Sequence, residues 1–378
     1  MSSKSNEIRV LQILCALNGG GAERIIYDYY MRLHKEKITF DFIKTDPITG
    51  ILEESLKETG SEIFLLPYYK NNFSARLAEV RSILRKKRYD VVHSNDGYRA
   101  FIDLSTAKRE GVPVRIAHSH YGYIPGNPAQ RLIRKCSALS TKLCATHLLA
   151  CGKESAIMTW GKKAYDSGKV YALKNAIDLP KFAFSEKKRA EKRAELNIGG
   201  RFAVGNVARF SYEKNHEFLL KIFYEIKKQR DNAILLLIGS GEPGTDIEKQ
   251  ISALGLESSV LFLGVQNDVP DLLNAMDVFV LPSRGEGLGI AYVEAQANGM
   301  PVFGTAGRVP IEAKVTDTMN YLSLDVPPSK WAEAICAAQK ERNPLAQKQI
   351  DENACDINKE YIKLAELYRT AVNNARRG

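Results

Sequence analysis

Short apolar, β-branched runs alternate along the chain with longer stretches whose apolar residues recur at intervals of three and four. The runs Ile8–Cys15, Phe40–Lys44, Glu62–Leu66, Asp90–His93, Val114–His118, His147–Ala150 and Val170–Leu173 predict strands in the first half. Phe202–Val207, Ala233–Ile238, Val260–Leu263, Val278–Leu281 and Pro301–Phe303 predict strands in the second. Between them Ala22–His34, Ser74–Lys87, Ala129–Cys144, Asn215–Gln229, Thr245–Leu254, Asp268–Met276 and Gly289–Gly299 carry the one-sided apolar stripe of a sheet-covering helix. Strands that alternate with helices in this way predict parallel sheets covered on both faces, an α/β fold.

The alternation breaks once. Asp178–Gly200 is rich in Lys, Arg and Glu, has no strand pattern and ends in Gly199-Gly200. It divides the chain into a first domain over 1–180, a linker with a short charged helix over 181–200, and a second domain over 201–356. The helical stretch Ile357–Arg377 is placed to cross back, so 357–378 joins the first domain. A chain of 378 residues suits two cores of ordinary size better than one. The fold expected is two Rossmann-like, doubly wound domains facing across a cleft, with a ligand between the carboxyl ends of their strands.

Composition narrows the class. The chain is 44% hydrophobic, as in a globular protein, and has no uninterrupted apolar run near the ~18 residues of a membrane span. Met1–Glu7 is polar and leads directly into the first strand, which is not a secretory-signal pattern, so a cytoplasmic location is expected. Six cysteines include no CxxC pair and read as reduced thiols, with neither disulfides nor zinc. The net charge of +10 points to an anionic partner: nucleic acid, a phosphorylated small molecule or an anionic membrane face. Nucleic acid calls for aromatic residues interleaved with the cations, and no such surface stands out, so none is expected. A dinucleotide-dependent oxidoreductase is disfavoured too: Gly19-Gly20-Gly21 follows the first strand, but Arg24 takes the place of the last glycine of the fingerprint.

Two segments carry candidate chemistry. Val278–Leu281 leads through Pro282 into the loop Ser283-Arg284-Gly285-Glu286-Gly287-Leu288-Gly289, after which a helix carries Glu294. Glycines admit a ligand close to the backbone, and N–H groups at the helix start, with Leu288 and Gly289 opening it, favour an anion. Carboxylates such as Glu286 and Glu294 fork onto vicinal hydroxyls of a ribose or hexose. The same spacing also fits a helix-start acid, worth about 0.3–1 kcal/mol through the dipole, and a solvated helix residue. Phe202–Val207 is followed by Arg209, and Lys214 opens the next helix. Two cations there would hold a diphosphate and stabilise it as it leaves, replacing a divalent metal. In so basic a chain they also read as two ordinary surface cations.

Taken together these residues resemble the family 4 retaining glycosyltransferases of the GT-B fold, in particular their capsular and exopolysaccharide enzymes. Val207 to Asn215 is similar to the family's strand–Arg–Lys element, and Pro282 to Pro301 resembles its E-x7-E element with the following G-x-P. Asn18 to Glu23, Asn175 to Asp178 with Phe182, Gly239 to Gly241, Phe262 to Gly264 and Asp277 to Ser283 match further elements in order. Ala208 and Ala176 stand where the family usually has glycine, changes of one methyl that predict tighter loops.

The resemblance implies a transferase that moves a hexose-type sugar from a nucleotide-diphosphate sugar, UDP by family frequency, to a saccharide or lipid-linked saccharide. In it Arg209 and Lys214 would bind the diphosphate, with Gly20 and Gly21 bringing backbone amides to the phosphates. Glu286 would hold sugar hydroxyls and support developing positive charge. Glu294 would bind the ribose, and Gly264, Val265 and Gln266 would contact the base. The leaving phosphate would take the acceptor's proton on the same face, so no enzymic nucleophile, cofactor or metal is implied, and D-x-D is absent from the chain. A UDP-sugar 2-epimerase of the same fold is the alternative. His118 and His120 close a strand of the first domain, where the family places a histidine against donor sugar or acceptor. His118 is favoured, and His93 is the weaker candidate or a structural cap. His34, His147 and His216 read as structural. Finally, Ala129–Cys144 interleaves Arg131, Arg134, Lys135 and Lys142 with Leu132, Ile133, Leu139 and Leu143. Such a helix either lies peripherally on the inner face of the cell membrane or covers the sheet with a solvated basic face.

Overall fold

A computed structural model describes residues 7–68, 72–120, 127–241, 247–338, 341–353 and 355–377. The chain forms two compact units, Met1–Ala176 with Ile357–Gly378, and Ile177–Asp356. The first holds strands β1 (Ile8–Ile13), β2 (Ile38–Lys44), β3 (Ile63–Leu65), β4 (Val91–Ser94), β5 (Val114–Ser119), β6 (His147–Ala150) and β7 (Val170–Ala172). The second holds β8 (Phe202–Val207), β9 (Ala233–Ile238), β10 (Val260–Gly264), β11 (Val278–Leu281), β12 (Val302–Thr305) and β13 (Met319–Leu322). Every pairing between these strands is parallel. The orders are β3-β2-β1-β4-β5-β6-β7 and β10-β9-β8-β11-β12-β13. In each sheet the order reverses beside the first strand, between β1 and β4 and between β8 and β11. Such a point leaves a crevice at the carboxyl ends because the flanking connections leave toward opposite faces.

Burial explains the elements. All six residues of β9 are buried, as in a strand covered on both faces. In helix Gly21–Leu33 the buried positions are Ile25, Ile26, Tyr29, Tyr30 and Leu33, a single helical stripe. Asn72 Oδ1 accepts from the Ala75 N–H at 3.0 Å and starts helix Phe73–Lys86. That helix is tied to Phe101–Arg109 by a buried fork, with Arg76 Nε and Nη2 donating to the two oxygens of Asp103 at 3.0 and 2.8 Å. The terminal helix Ile357–Arg377 lies in the first unit and buries Leu364, Ala365, Tyr368 and Val372 there.

Two features differ from the sequence reading. The 181–200 stretch, read as a linker with a short charged helix, forms that helix and lies within the second unit. Ser185 Oγ caps helix Glu186–Glu195, and Arg189 and Arg193 donate to the carbonyls of Asn274, Ala275 and Met276 at the end of helix Val269–Ala275. Its cations serve a helix carboxyl terminus within the second unit, where such charge is favoured. The sixth strand of the second sheet, β13, was not expected. It is four residues at the sheet edge, with Asn320 exposed and Tyr321 and Leu322 half-buried, too short and too polar to stand out. The expected start of a helix at Thr245 lies outside the described residues; the helix itself runs Ile247–Ala253.

Candidate functional site

In the second unit the predicted residues gather at the switch between β8 and β11. Beyond β8 the chain passes exposed Arg209, forms a turn of 3-10 helix over Tyr212–Lys214, and enters helix His216–Gln229 through Asn215 in the left-handed conformation. Beyond β11 it runs through Pro282 to Gly289 into helix Ile290–Ala297. The two loops are laced together. Asn215 Nδ2 donates to the Pro282 carbonyl at 3.0 Å, the Arg284 N–H to the Glu213 carbonyl at 2.7 Å, and Arg284 Nη1 to the Tyr212 carbonyl at 2.6 Å.

At their meeting point Lys214 Nζ lies 2.7 and 2.8 Å from the two oxygens of Glu286, and Ser283 Oγ donates to Oε1 at 2.6 Å. Glu286 is buried while Lys214 keeps a quarter of its side chain exposed. A buried carboxylate is tolerated because the ammonium and hydroxyl replace its hydration. With two of its three N–H donors on Glu286, the part-exposed Lys214 ammonium keeps one for an anion.

The glycines around this loop follow from its crowding. Gly289 has φ +76°, and a Cβ there would lie 2.5 Å from the Tyr292 ring, which is fixed by its hydroxyl donating to the Leu281 carbonyl at 2.6 Å. Gly239, which follows β9 with φ +136°, could not carry a Cβ, which would sit 2.0 Å from the Ala208 carbonyl oxygen. Leu288 is buried and Glu294 half-buried on the Ile290–Ala297 helix. Gly264, the last residue of β10, and Val265 and Gln266 beyond it are largely exposed, and the Gly239 N–H after β9 donates to the Gly264 carbonyl at 2.7 Å. His216, read as structural, donates from Nε2 to Asn206 Oδ1 at 3.1 Å, and burial first, then the Lys214 charge, lowers its pKa to about 4.

The first unit holds Gly20, Gly21, His118 and His120. Gly20 precedes helix Gly21–Leu33, and its N–H already donates to Glu23 Oε2 at 3.0 Å. A phosphate at that amide would have to displace the carboxylate. His118 and His120 lie at the end of β5 with ring centroids 4.1 Å apart. His118 Nδ1 is 3.2 Å from His93 Nε2, His93 Nδ1 is 2.7 Å from the Tyr368 hydroxyl, and His120 Nε2 is 2.9 Å from Asn95 Oδ1. Burial lowers all three imidazoles: His93 to about 3, His120 to about 4, and His118 well below its usual value. They are neutral at pH 7. Beyond β4, burial and then the nearby Asp103 raise Asp96 to about 6.

Gln12, Asn95, Ser283 and Tyr368 complete these networks and were given no role in the sequence reading. Ser283 was within reach, three residues before Glu286 in the same loop. Tyr368 was not, because it meets Gln12 across a separation of 356 positions. Among the described residues no group of three or more His, Cys, Asp or Glu is arranged to hold a metal ion, and no helix is long and apolar enough to cross a membrane. Helix Pro128–Cys144 buries only Ala138 and Thr141, while Leu132, Ile133, Leu139 and Leu143 are 61% to 69% exposed.

Comparison with known proteins bears on both units. Residues 19–181 match the family described as glycosyltransferase family 4, and residues 188–355 match glycosyl transferases group 1. The putative glycosyltransferase EpsF of Bacillus subtilis is 32% identical over 351 residues, 90% of each chain. An Escherichia coli protein named UDP-Gal:alpha-D-GlcNAc-diphosphoundecaprenol alpha-1,3-galactosyltransferase is 25% identical over 80% of each chain. Among solved structures, Anabaena HepE in complex with UDP and glucose superposes with a TM-score of 0.77 at 17% identity, covering 96% of this chain and 99% of that one.

Proposed function

The chain belongs to the family 4, group 1 glycosyltransferases, and we propose that it moves a hexose from a UDP-sugar to a glycan or lipid-linked acceptor in surface polysaccharide synthesis. Transfer proceeds with retention at the anomeric carbon and without a metal ion. The observation that carries this reading is Lys214 bridging both oxygens of Glu286 at a sheet switch point, with Arg209 on the adjoining loop.

In this reading Arg209 and Lys214 take the donor diphosphate and stabilise the charge that grows as it leaves. Leu288 and Gly289, with Gly20 and Gly21, turn backbone toward the phosphates. Glu286 accepts from sugar hydroxyls and stabilises positive charge at the anomeric carbon; already bound by a cation and a hydroxyl, it does not attack that carbon. The leaving phosphate takes the acceptor's proton on the same face. Glu294 holds the ribose, and Gly264, Val265 and Gln266 meet the base. His118 and His120 contact a sugar. The donor named for the E. coli relative, and the UDP held by the structural neighbour, support UDP as the carrier. The diphosphoundecaprenol in the relative's name supports a lipid-linked acceptor.

Such an acceptor places the enzyme in the cytoplasm at the inner membrane face, with helix Pro128–Cys144 as the contact. Each cation near an anionic surface contributes on the order of 1 kcal/mol. Reversing charge with Arg134→Glu and Lys135→Glu lowers sedimentation with anionic vesicles, and unchanged sedimentation would retire the membrane contact.

A panel of nucleotide sugars, in EDTA, tests the main reading through thermal protection, hydrolysis and transfer. Protection and turnover by a UDP-hexose are expected. No protection by any nucleotide-diphosphate sugar would sink the reading, and an altered sugar formed from donor alone would identify epimerisation instead.

A further inference from the structure

The buried polar chain behind His118 and His120 has a direction that can be worked out atom by atom. Its anchor is the Ile13 carbonyl, which can only accept. Asn95 Nδ2 donates to it at 3.2 Å and to Gln12 Oε1 at 3.0 Å. The Gln12 amide is thereby oriented, and its Nε2 donates to the Tyr368 hydroxyl at 3.1 Å and also faces His93 Nδ1 at 3.4 Å. Having accepted that bond, the phenol directs its own proton to His93 Nδ1 at 2.7 Å. The opposite arrangement, with His93 donating to the phenol, leaves the buried phenolic proton without an acceptor among the described residues. A buried donor left without an acceptor loses its hydration with nothing in return, which decides against it.

A neutral ring carries one proton. His93, accepting at Nδ1, bears it on Nε2 and donates to His118 Nδ1 at 3.2 Å. His118 therefore carries its own proton on Nε2. Asn95 settles the other ring: its Nδ2 is committed, so the atom facing His120 Nε2 at 2.9 Å is Oδ1, an acceptor. His120 bears its proton on Nε2 and leaves Nδ1 as a lone pair. His118 Nε2 and His120 Nδ1 are buried, and neither has a hydrogen-bond partner among the described residues.

We infer that Tyr368, reaching from the terminal helix, is a positioning residue that acts through His93 to fix His118 with its proton on Nε2. The paired histidines then present one donor and one acceptor to hydroxyl groups of a sugar. A hydroxyl complements both atoms because it accepts and donates. A carboxylate or phosphate oxygen only accepts, so it matches His118 and is repelled by the lone pair of His120. The assignment of the ligand as a sugar rests on the transferase reading above; the direction of the network does not.

The test is long-range proton–nitrogen NMR of the histidine rings in the full chain, with His118 resonances assigned by their loss in His118→Asn. In the unaltered protein the expected pattern is a protonated Nε2 and a bare Nδ1 for His118, with a bare Nδ1 for His120. A bare Nε2 on His118 would overturn the inference without any variant being made. Tyr368→Phe keeps the ring in place and removes the nearer of the two donors that face His93 Nδ1. In it His118 should become a mixture of tautomers and kcat should fall about tenfold, the scale of one lost hydrogen bond, with KM for the donor within about twofold. A His118 tautomer unchanged in Tyr368→Phe, or an unchanged kcat, would overturn the role of Tyr368. If no nucleotide sugar is turned over by the unaltered protein, the transferase reading fails, while the NMR result still decides the network.

Discussion

The two sheets reverse their strand order in the same way but furnish their switch points with opposite chemistry. Beside β8 and β11 stand Arg209, Lys214 and Glu286, formal charges that are exposed or ion-paired. Beside β1 and β4, with β5 next to them, stand Gln12, Asn95 and three imidazoles kept neutral by burial. The contrast teaches what each surface is suited to meet. A diphosphate carries charge and repays the desolvation of cations, whereas sugar hydroxyls need oriented neutral donors and acceptors. The charged site stays half-open because Lys214 remains solvated. The neutral site is more deeply set, with His93 and His118 buried and His120 half-buried, since an imidazole loses little there while it carries no charge.

The largest effect expected is on the charged side. Arg209→Ala with Lys214→Gln removes two charge-assisted contacts of about 1.5–3 kcal/mol each, so UDP affinity and kcat/KM fall on the order of a thousandfold. Calorimetry with UDP checks this, and near-native affinity would break the division of labour. On the neutral side, His118→Phe should lower kcat about 10- to 100-fold while UDP affinity stays within about twofold. A matching loss of UDP affinity would show that the histidines serve the nucleotide after all.

The smallest expected effect concerns acid. A histidine whose folded pKa is depressed contributes stability that is complete above about pH 6.5 and is lost as pH falls toward its folded value, because the unfolded chain takes up the proton first. At pH 6 each such residue removes about 0.8 kcal/mol. The first unit has His93, His118 and His120 in this condition, with His147 also lowered by burial, and the second has His216. Hydrogen exchange at pH 7 and pH 6 should therefore show the first unit's strands losing more protection. Equal loss in both sheets would erase that asymmetry.

The parts of this picture visible in the sequence are those carried by local pattern. β9 and β11 announce themselves as unbroken apolar runs and β8 as one interrupted only by Gly205 and Asn206, and the loops after β8 and β11 carry Arg209, Lys214 and Glu286. The pairing of Lys214 with Glu286 was not visible, because it depends on β8 and β11 being neighbours although 70 residues of chain separate them in number. The neutral network was less legible still. Gln12 sits in an apolar strand, Tyr368 reads as one more core position of an amphipathic helix, and Arg76 and Asp103 look like surface charges until the fold buries them together. Long-range polar pairing leaves no periodic trace, and charge type alone does not say which residue faces which.

The measurement closest to the central claim compares the unaltered chain with Glu286→Gln, which retains a group able to meet Lys214 and Ser283 but carries no charge. Transfer from a UDP-hexose and binding of UDP are followed side by side. With Glu286 stabilising charge at the anomeric carbon, kcat should drop about 100- to 1,000-fold, the range seen when one preorganised electrostatic contact is removed, while UDP affinity changes little. Turnover near that of the unaltered chain, with the fold intact by melting temperature, would contradict the assignment of this site.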